Sequence, residues 1–245
     1  MLGNDFNPIT GQIELVESYE YNPALTSVIY EDWTARTQTG SGWNWQQTNV
    51  GTTWSTNIIA STSAAMGIMR QQITHSAANT STSVNNLGTI SKIITGSGIV
   101  TVEARMWIEA NTTNVTEREL WVGLSDTTTV TPANAIFIGF TGLTAAAPKW
   151  QGRKIEASAI TTSASVVAPV ANSTWTYLKY VINAASTSVE FFVNNVSITT
   201  CALTGTARSL FPAYYMRSVS SAAATQYGNN QDFYKVTHQF TSPRF

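Results

Sequence analysis

In several segments between residues 98 and 195, apolar side chains recur with a period of two. That is the repeat of a strand with one face in a core and the other toward solvent. In GIVTVEARMWIEA (98–110), Val100, Val102, Ala104, Met106 and Ile108 share one face, and Thr101, Glu103, Arg105, Trp107 and Glu109 share the other. ELWVGLSD (119–126) sets Leu120, Val122 and Leu124 together, and AIFIGFTG (135–142) does the same for Ile136, Ile138 and Phe140. In STWTYLKYVINAASTSVEFFVNN (173–195), Leu178, Tyr180 and Ile182 face one way, followed past the NAASTS turn by Val189, Phe191 and Val193. Asn194-Asn195 predicts a tight hairpin turn, because asparagine tolerates the positive φ such turns need. AYYMRSV and DFYKVTHQF give two further strands, and TVTPANA and TGLTAAAPK are loops. No stretch holds a helical period. SAAMGIMRQQI (63–73) fits either a turn or two of helix or an inner strand. Short strands separated by turn signals predict an all-β fold, a two-sheet antiparallel β-sandwich or jelly roll.

Residues 1–28 differ from the rest. They hold Asp5, Glu14, Glu17 and Glu20 with no Lys or Arg, two prolines and a Pro-Ile-Thr-Gly turn signal. This segment reads as an extended N-terminal docking arm with one short strand in QIELVESY, ahead of a sandwich spanning residues 29–245. The alternative is a first edge strand of the same domain.

The ordered series YEDW, GIVTVEARMWI, ELWVGLSD, AIFIGF, STWTYLKYVINAASTSVEFFVNN and QDFYKV resembles the concanavalin A-like lectin/glucanase superfamily in its laminin-G-like form. The strand that opens on Trp175 and the one that ends at FFVNN carry the resemblance; Asn195 stands where family members often have Gly. The resemblance covers residues 29–240 and implies a curved antiparallel jelly roll. In that family the fold binds sugars, cleaves glucans, binds proteins or is purely structural. FNPITGQIELV also resembles the Phe-Asn/Asp-Pro-x-Thr-Gly openings of phage tail-associated proteins.

Composition narrows the function classes. Of 245 residues, 43% are hydrophobic and only 11% charged, which suits a large core under a Thr/Ser/Asn-rich exterior. A net charge of −1 provides no basic field for nucleic acid. No apolar run reaches the ~20 residues of a membrane helix. Cys201 is the one cysteine, so no intrachain disulfide forms; it reads as a small buried apolar residue. MLGNDFNPIT lacks the basic and apolar regions of a signal peptide. An outside-type composition without such a signal is expected of a virion protein assembled in a host cytoplasm, with a secreted protein as the alternative.

No catalytic constellation emerges. Retaining glycosidases need two carboxyl groups ~5 Å apart. Glu103 and Glu109 share a strand face but would sit ~20 Å apart. Glu117 and Glu119 in TEREL are the one closely spaced acidic pair on a predicted strand edge and read as solvated loop charge. His75, His238 and Cys201 show no zinc spacing, and no metal or cofactor is expected. Asp126 is the residue considered for a calcium held with backbone carbonyls. Aromatic rings beside polar side chains make sugar platforms. Trp43 and Trp45 in GWNWQQ, and Trp150, Gln151 and Arg153 in PKWQGRK, are the glycan-binding candidates. The competing reading packs those tryptophans at the sandwich edge or a subunit contact. The function expected from all this is a non-enzymatic structural or attachment protein of a tailed-bacteriophage virion, as a tail-fibre-type adhesin or a capsid decoration. It would be anchored to other virion proteins through residues 1–28, face a host surface glycan, and form a homo-oligomer, with a trimer as the guess. The alternative is a secreted carbohydrate-binding module, and the third reading is a glycan-cleaving enzyme.

Overall fold

The computed structural model describes residues 5–6, 13–14, 25–31, 46–50, 54–59, 68–74, 79–86, 92–108, 118–127, 129, 131–143, 149–163, 174–220 and 226–242. Within them all regular structure is β, and the strands form two antiparallel sheets and one small hairpin. The hairpin pairs β1 (Asp5–Phe6) with β2 (Ile13–Glu14), so a strand does form inside QIELVESY. Across the front sheet run β13 (Ala159–Thr162), β12 (Gln151–Glu156), β11 (Ala135–Thr141), β10 (Arg118–Ser125), β17 (Ser209–Ser220), β7 (Asn79–Asn86) and β4 (Gln46–Val50); β8 (Ile93–Ile94) also pairs with β17. Across the back sheet run β16 (Val196–Ala202), β15 (Ser188–Val193), β14 (Trp175–Ile182), β9 (Gly98–Ile108), β18 (Gln226–Phe240), β6 (Ile68–Thr74) and β5 (Trp54–Ile59). β3 (Thr26–Glu31) pairs with the second half of β18. Thr26, Ser27 and Val28, which the sequence pattern assigns to the arm, are therefore strand residues of the back sheet, and Leu25 O accepts a bond from Phe240 N.

The period-two pattern explains the back sheet. Val100, Val102, Ala104, Met106 and Ile108 of β9 are all buried, while Thr101, Glu103, Arg105 and Trp107 face outward. Leu178, Tyr180 and Ile182 of β14 and Val189, Phe191 and Val193 of β15 join them in one core between the sheets. Each such side chain, fully buried, contributes roughly 1.5–3 kcal/mol. Asn194 and Asn195 make the β15–β16 turn with φ of 49° and 64°. Of the 63–73 segment, residues 63–67 lie outside the described residues, and the rest is strand, since Ile68–Thr74 pairs with both β5 and β18. Pro212 sits in β17 where its partner changes from β8 to β7, so its missing N–H breaks no ladder on that side.

Two hydroxyls tie the layers together. The Tyr180 hydroxyl donates to Ile136 O at 3.0 Å, and the Tyr234 hydroxyl to Gly123 O at 2.6 Å. Both phenols are buried, and burial pushes their pKa values well above the usual tyrosine range, so they remain donors. Where β12 crosses the back sheet the layers nearly touch: a Cβ on Gly152 would lie 2.3 Å from the Phe191 ring. Gly152→Ala is therefore expected to destabilise the fold by ~1–3 kcal/mol through overpacking. Tyr180→Phe should lose about 1 kcal/mol with the hydroxyl bond. Urea unfolding followed by circular dichroism measures both.

Candidate functional site

The side of the front sheet that faces away from the core follows directly from register. Arg217, Glu119 and Thr141 lie across from one another on β17, β10 and β11. The next row is Tyr215, Trp121, Gly139 and Gln151, and the next is Ala213, Gly123, Phe137, Arg153 and Thr162. This face is not simply wetted. Trp121, Ala135, Phe137, Ile155 and Ala213 form a second buried apolar cluster on it, with Tyr215 packed alongside. Every residue of β10 is consequently buried.

A charged group stands on this apolar floor. Glu119 is 5% exposed, and its Oε1 accepts from Trp121 Nε1 at 2.5 Å and pairs with Arg153 Nη1 at 2.5 Å. The Arg153 guanidinium lies 3.7 Å from the Trp121 ring centroid. Trp121 is opposite Gly139, whose lack of a side chain leaves the ring open to the guanidinium from β12. Arg217 Nη1 comes within 3.9 Å of Glu119 Oε2, beyond hydrogen-bond reach. The Tyr215 pKa is pushed up to about 12, by burial first and then by the Glu119 charge, against the pull of Arg217 and Arg153. Its phenol is thus a neutral donor across the physiological range. Glu119, Gln151, Arg153, Tyr215, Arg217 and Thr162 line a cavity of about 640 Å³. Gln151 Oε1 and Arg153 Nε are buried and make no hydrogen bond. A ligand hydroxyl or water in the cleft would satisfy them.

The expected site residues are divided by this geometry. Gln151 and Arg153 stand in the cleft, in alternate positions on β12. Trp150, one residue away, points to the opposite side. It is 1% exposed and meets Phe140 edge-to-face at 5.4 Å, so it is a core residue and provides no stacking platform. Trp43 and Trp45 lie outside the described residues, as does Glu117. The reading of Glu119 as solvated loop charge is corrected: it is a buried strand residue, because β10 begins at Arg118. Sequence reasoning also passed over Trp121, Tyr215 and Arg217. The available signal was ELWVGL itself, where apolar residues occupy both parities of a strand and so call for burial on both faces.

A second cavity, of about 570 Å³, opens at the strand ends and is bordered by Asp126, Asn134, Glu156 and Arg208. Asp126 Oδ2 accepts from the backbone and side-chain nitrogens of Asn134 at 2.8 and 2.9 Å and so closes the β10–β11 loop. Glu156 binds Lys154, Thr204 and Arg208, joining β12 to the β16–β17 connection. Among the described residues no three His, Cys, Asp or Glu side chains gather to hold a metal ion.

No protein-family model and no curated protein matches this sequence. Solved structures do. The Emp47p carbohydrate recognition domain matches with a TM-score of 0.58 at 9% identity, over 90% of this chain and 99% of that one. The CBM2 module of the evolved Dit of Lactobacillus casei BL23 phage J-1 matches with a TM-score of 0.57 at 10% identity, over 89% and 98%. A glycoside hydrolase family 16 endo-glucanase from Bacteroides ovatus matches with a TM-score of 0.60 at 8% identity, over 85% and 99%. The chain thus has the concanavalin A-like jelly-roll fold of these lectin and glucanase domains.

Glu119→Ala would leave the Arg153 guanidinium over an apolar floor without its counter-charge. We expect a loss of about 3 kcal/mol in denaturant unfolding, and a smaller loss for Glu119→Gln, whose amide oxygen can still accept from Trp121.

Proposed function

We propose that this chain is a non-enzymatic attachment protein of a tailed-bacteriophage virion whose sandwich binds a host surface glycan in the front-sheet cleft. The observation that carries the reading is the cleft itself, where the apolar side chains of Leu143 and Ile160 and the Tyr215 ring meet the polar groups of Gln151, Arg153 and Arg217. Sugar sites are built in that way, with ring surfaces for C–H faces and fixed donors and acceptors for hydroxyls. The fold shared with a lectin domain and with a phage carbohydrate-binding module supports it. The phage-type opening FNPITGQIELV supports placing the docking function in residues 1–28. A homo-oligomer fits a sandwich whose terminal strand β13 is exposed along its length, since open edges are commonly covered by assembly.

The fold is also that of a glucanase, and one feature of the cleft weighs against cleavage. Glu119 is the one carboxylate among its described lining residues, and its oxygens face Arg153, Arg217 and Trp121. Retaining hydrolysis needs a second carboxyl ~5 Å away, and inverting hydrolysis needs one at ~6.5–9.5 Å.

Two measurements test the proposal. Gold-labelled antibody against the chain should decorate the tail of intact particles, and absence of label on any particle would leave the secreted-module alternative. On a glycan array the protein should retain at least one bacterial surface glycan without releasing reducing ends from it. Gln151→Ala should weaken that binding about tenfold, or ~1.4 kcal/mol, with the melting temperature unchanged.

A further inference from the structure

We propose that the front-sheet cleft selects an acidic glycan, one whose sugar rings carry a carboxylate, and that Arg217 receives that carboxylate. The inference rests on the glycan-binding reading and names the ligand class that the charges of the cleft favour. The described lining residues include two guanidiniums, Arg153 and Arg217, and one carboxylate, Glu119, leaving a net charge of +1. The two arginines are not equivalent. Arg153 is committed: it is 2.5 Å from Glu119 Oε1, stacked 3.7 Å from the Trp121 ring centroid, and its side chain is 15% exposed. Its charge is neutralised and its position fixed. Arg217 is 3.9 Å from Glu119 Oε2, makes no direct hydrogen bond to it, and its side chain is 41% exposed.

Arg217 is therefore the cation left to the ligand. A guanidinium offers paired N–H donors in the spacing of a carboxylate, which gives orientation as well as attraction. Tyr215 is its neighbour on β17, two residues away on the same face, and its phenol stays protonated as a donor for the same sugar. Glu119 sets the counter-constraint. A second anion entering the cleft is repelled if it approaches Oε2 and attracted if it approaches Arg217 from the solvent side. The acidic group is therefore placed at the mouth of the cleft, with the neutral ring edge inward beside Tyr215 and within reach of Gln151. A neutral sugar satisfies the hydroxyl-binding groups and leaves Arg217 unused.

Calorimetric titration of the full chain with tetragalacturonate, with the matched neutral galactose tetramer and with a sulfated galactose tetramer tests this. The acidic carboxylated sugar is expected to bind at least about tenfold more tightly than the neutral one at low ionic strength. That advantage should shrink as salt rises from about 20 mM to about 500 mM, because Arg217 is half in water. Arg217→Gln should reduce the affinity for tetragalacturonate to about that of the neutral tetramer, and Arg217→Lys should keep part of the difference. Thermal melts of both variants establish that they are folded. Equal binding of acidic and neutral sugars, unaltered in Arg217→Gln, overturns this inference and leaves the glycan-binding reading standing. Binding of the sulfated sugar without the carboxylated one overturns the assignment of a carboxylate. Failure of every sugar on the glycan array and in the titrations removes both readings.

Discussion

A strand with no wetted face must find a partner for every side chain it carries, and β10 is such a strand from Arg118 to Ser125. On the core side Leu120, Val122 and Leu124 meet the back sheet, and two tyrosine hydroxyls from that sheet bond to carbonyls of β10 and β11. On the other side Trp121 can be covered only by what neighbouring strands bring to it. β11 contributes Phe137, β12 contributes Ile155 and the Arg153 stem, and β17 contributes Ala213 and Tyr215. A carboxylate placed on such a floor is costly unless paired and hydrogen-bonded. That requirement explains why Glu119 occurs with Trp121 Nε1 and Arg153 around it, and the cleft is the space left between these groups and Arg217.

The back sheet was legible where its strands have one dry face and one wet one, as β9, β14 and β15 do. Strict alternation in GIVTVEARMWI and in STWTYLKYVI identifies the buried set residue by residue, and Asn194-Asn195 names its own turn. The front sheet was less so. In ELWVGL the alternation is overlaid by apolar residues on the second parity, so the pattern gives one face correctly and is silent on the other. The β12–β13 hairpin carries no turn signature at all: Ala157 and Ser158 occupy positive φ values of 48° and 67°, positions where Asn or Gly is usual. Its geometry is held by tertiary contacts instead, including the bond from Ala157 N to Asn134 Oδ1. Of the site, Gln151 and Arg153 could be found from local composition, because a polar pair beside a tryptophan is a short-range signal. Trp150 misleads for the same reason, since a period of two puts it on the opposite side from both neighbours. Glu119 and Arg217 come from segments far apart in sequence, and only the β10–β17 register brings them together.

The fold narrows function less than the cleft does. Lectin and glucanase domains match this chain at similar TM-scores and at 8–9% identity, so the jelly roll alone does not separate binding from cleavage. The proposed binding reading rests instead on the side-chain chemistry of the front-sheet cleft. Acid–base cleavage needs a carboxyl group free to exchange a proton with the glycosidic oxygen and a second to attack or to activate water. Glu119 is tied at Oε1 to a tryptophan N–H and a guanidinium. Such a carboxylate is suited to fixing Arg153 over Trp121 and thereby shaping a rigid recess. The same ion pair absorbs one positive charge of the cleft and leaves Arg217 as its uncommitted end, so the group that makes the floor stable also decides which charge the mouth presents.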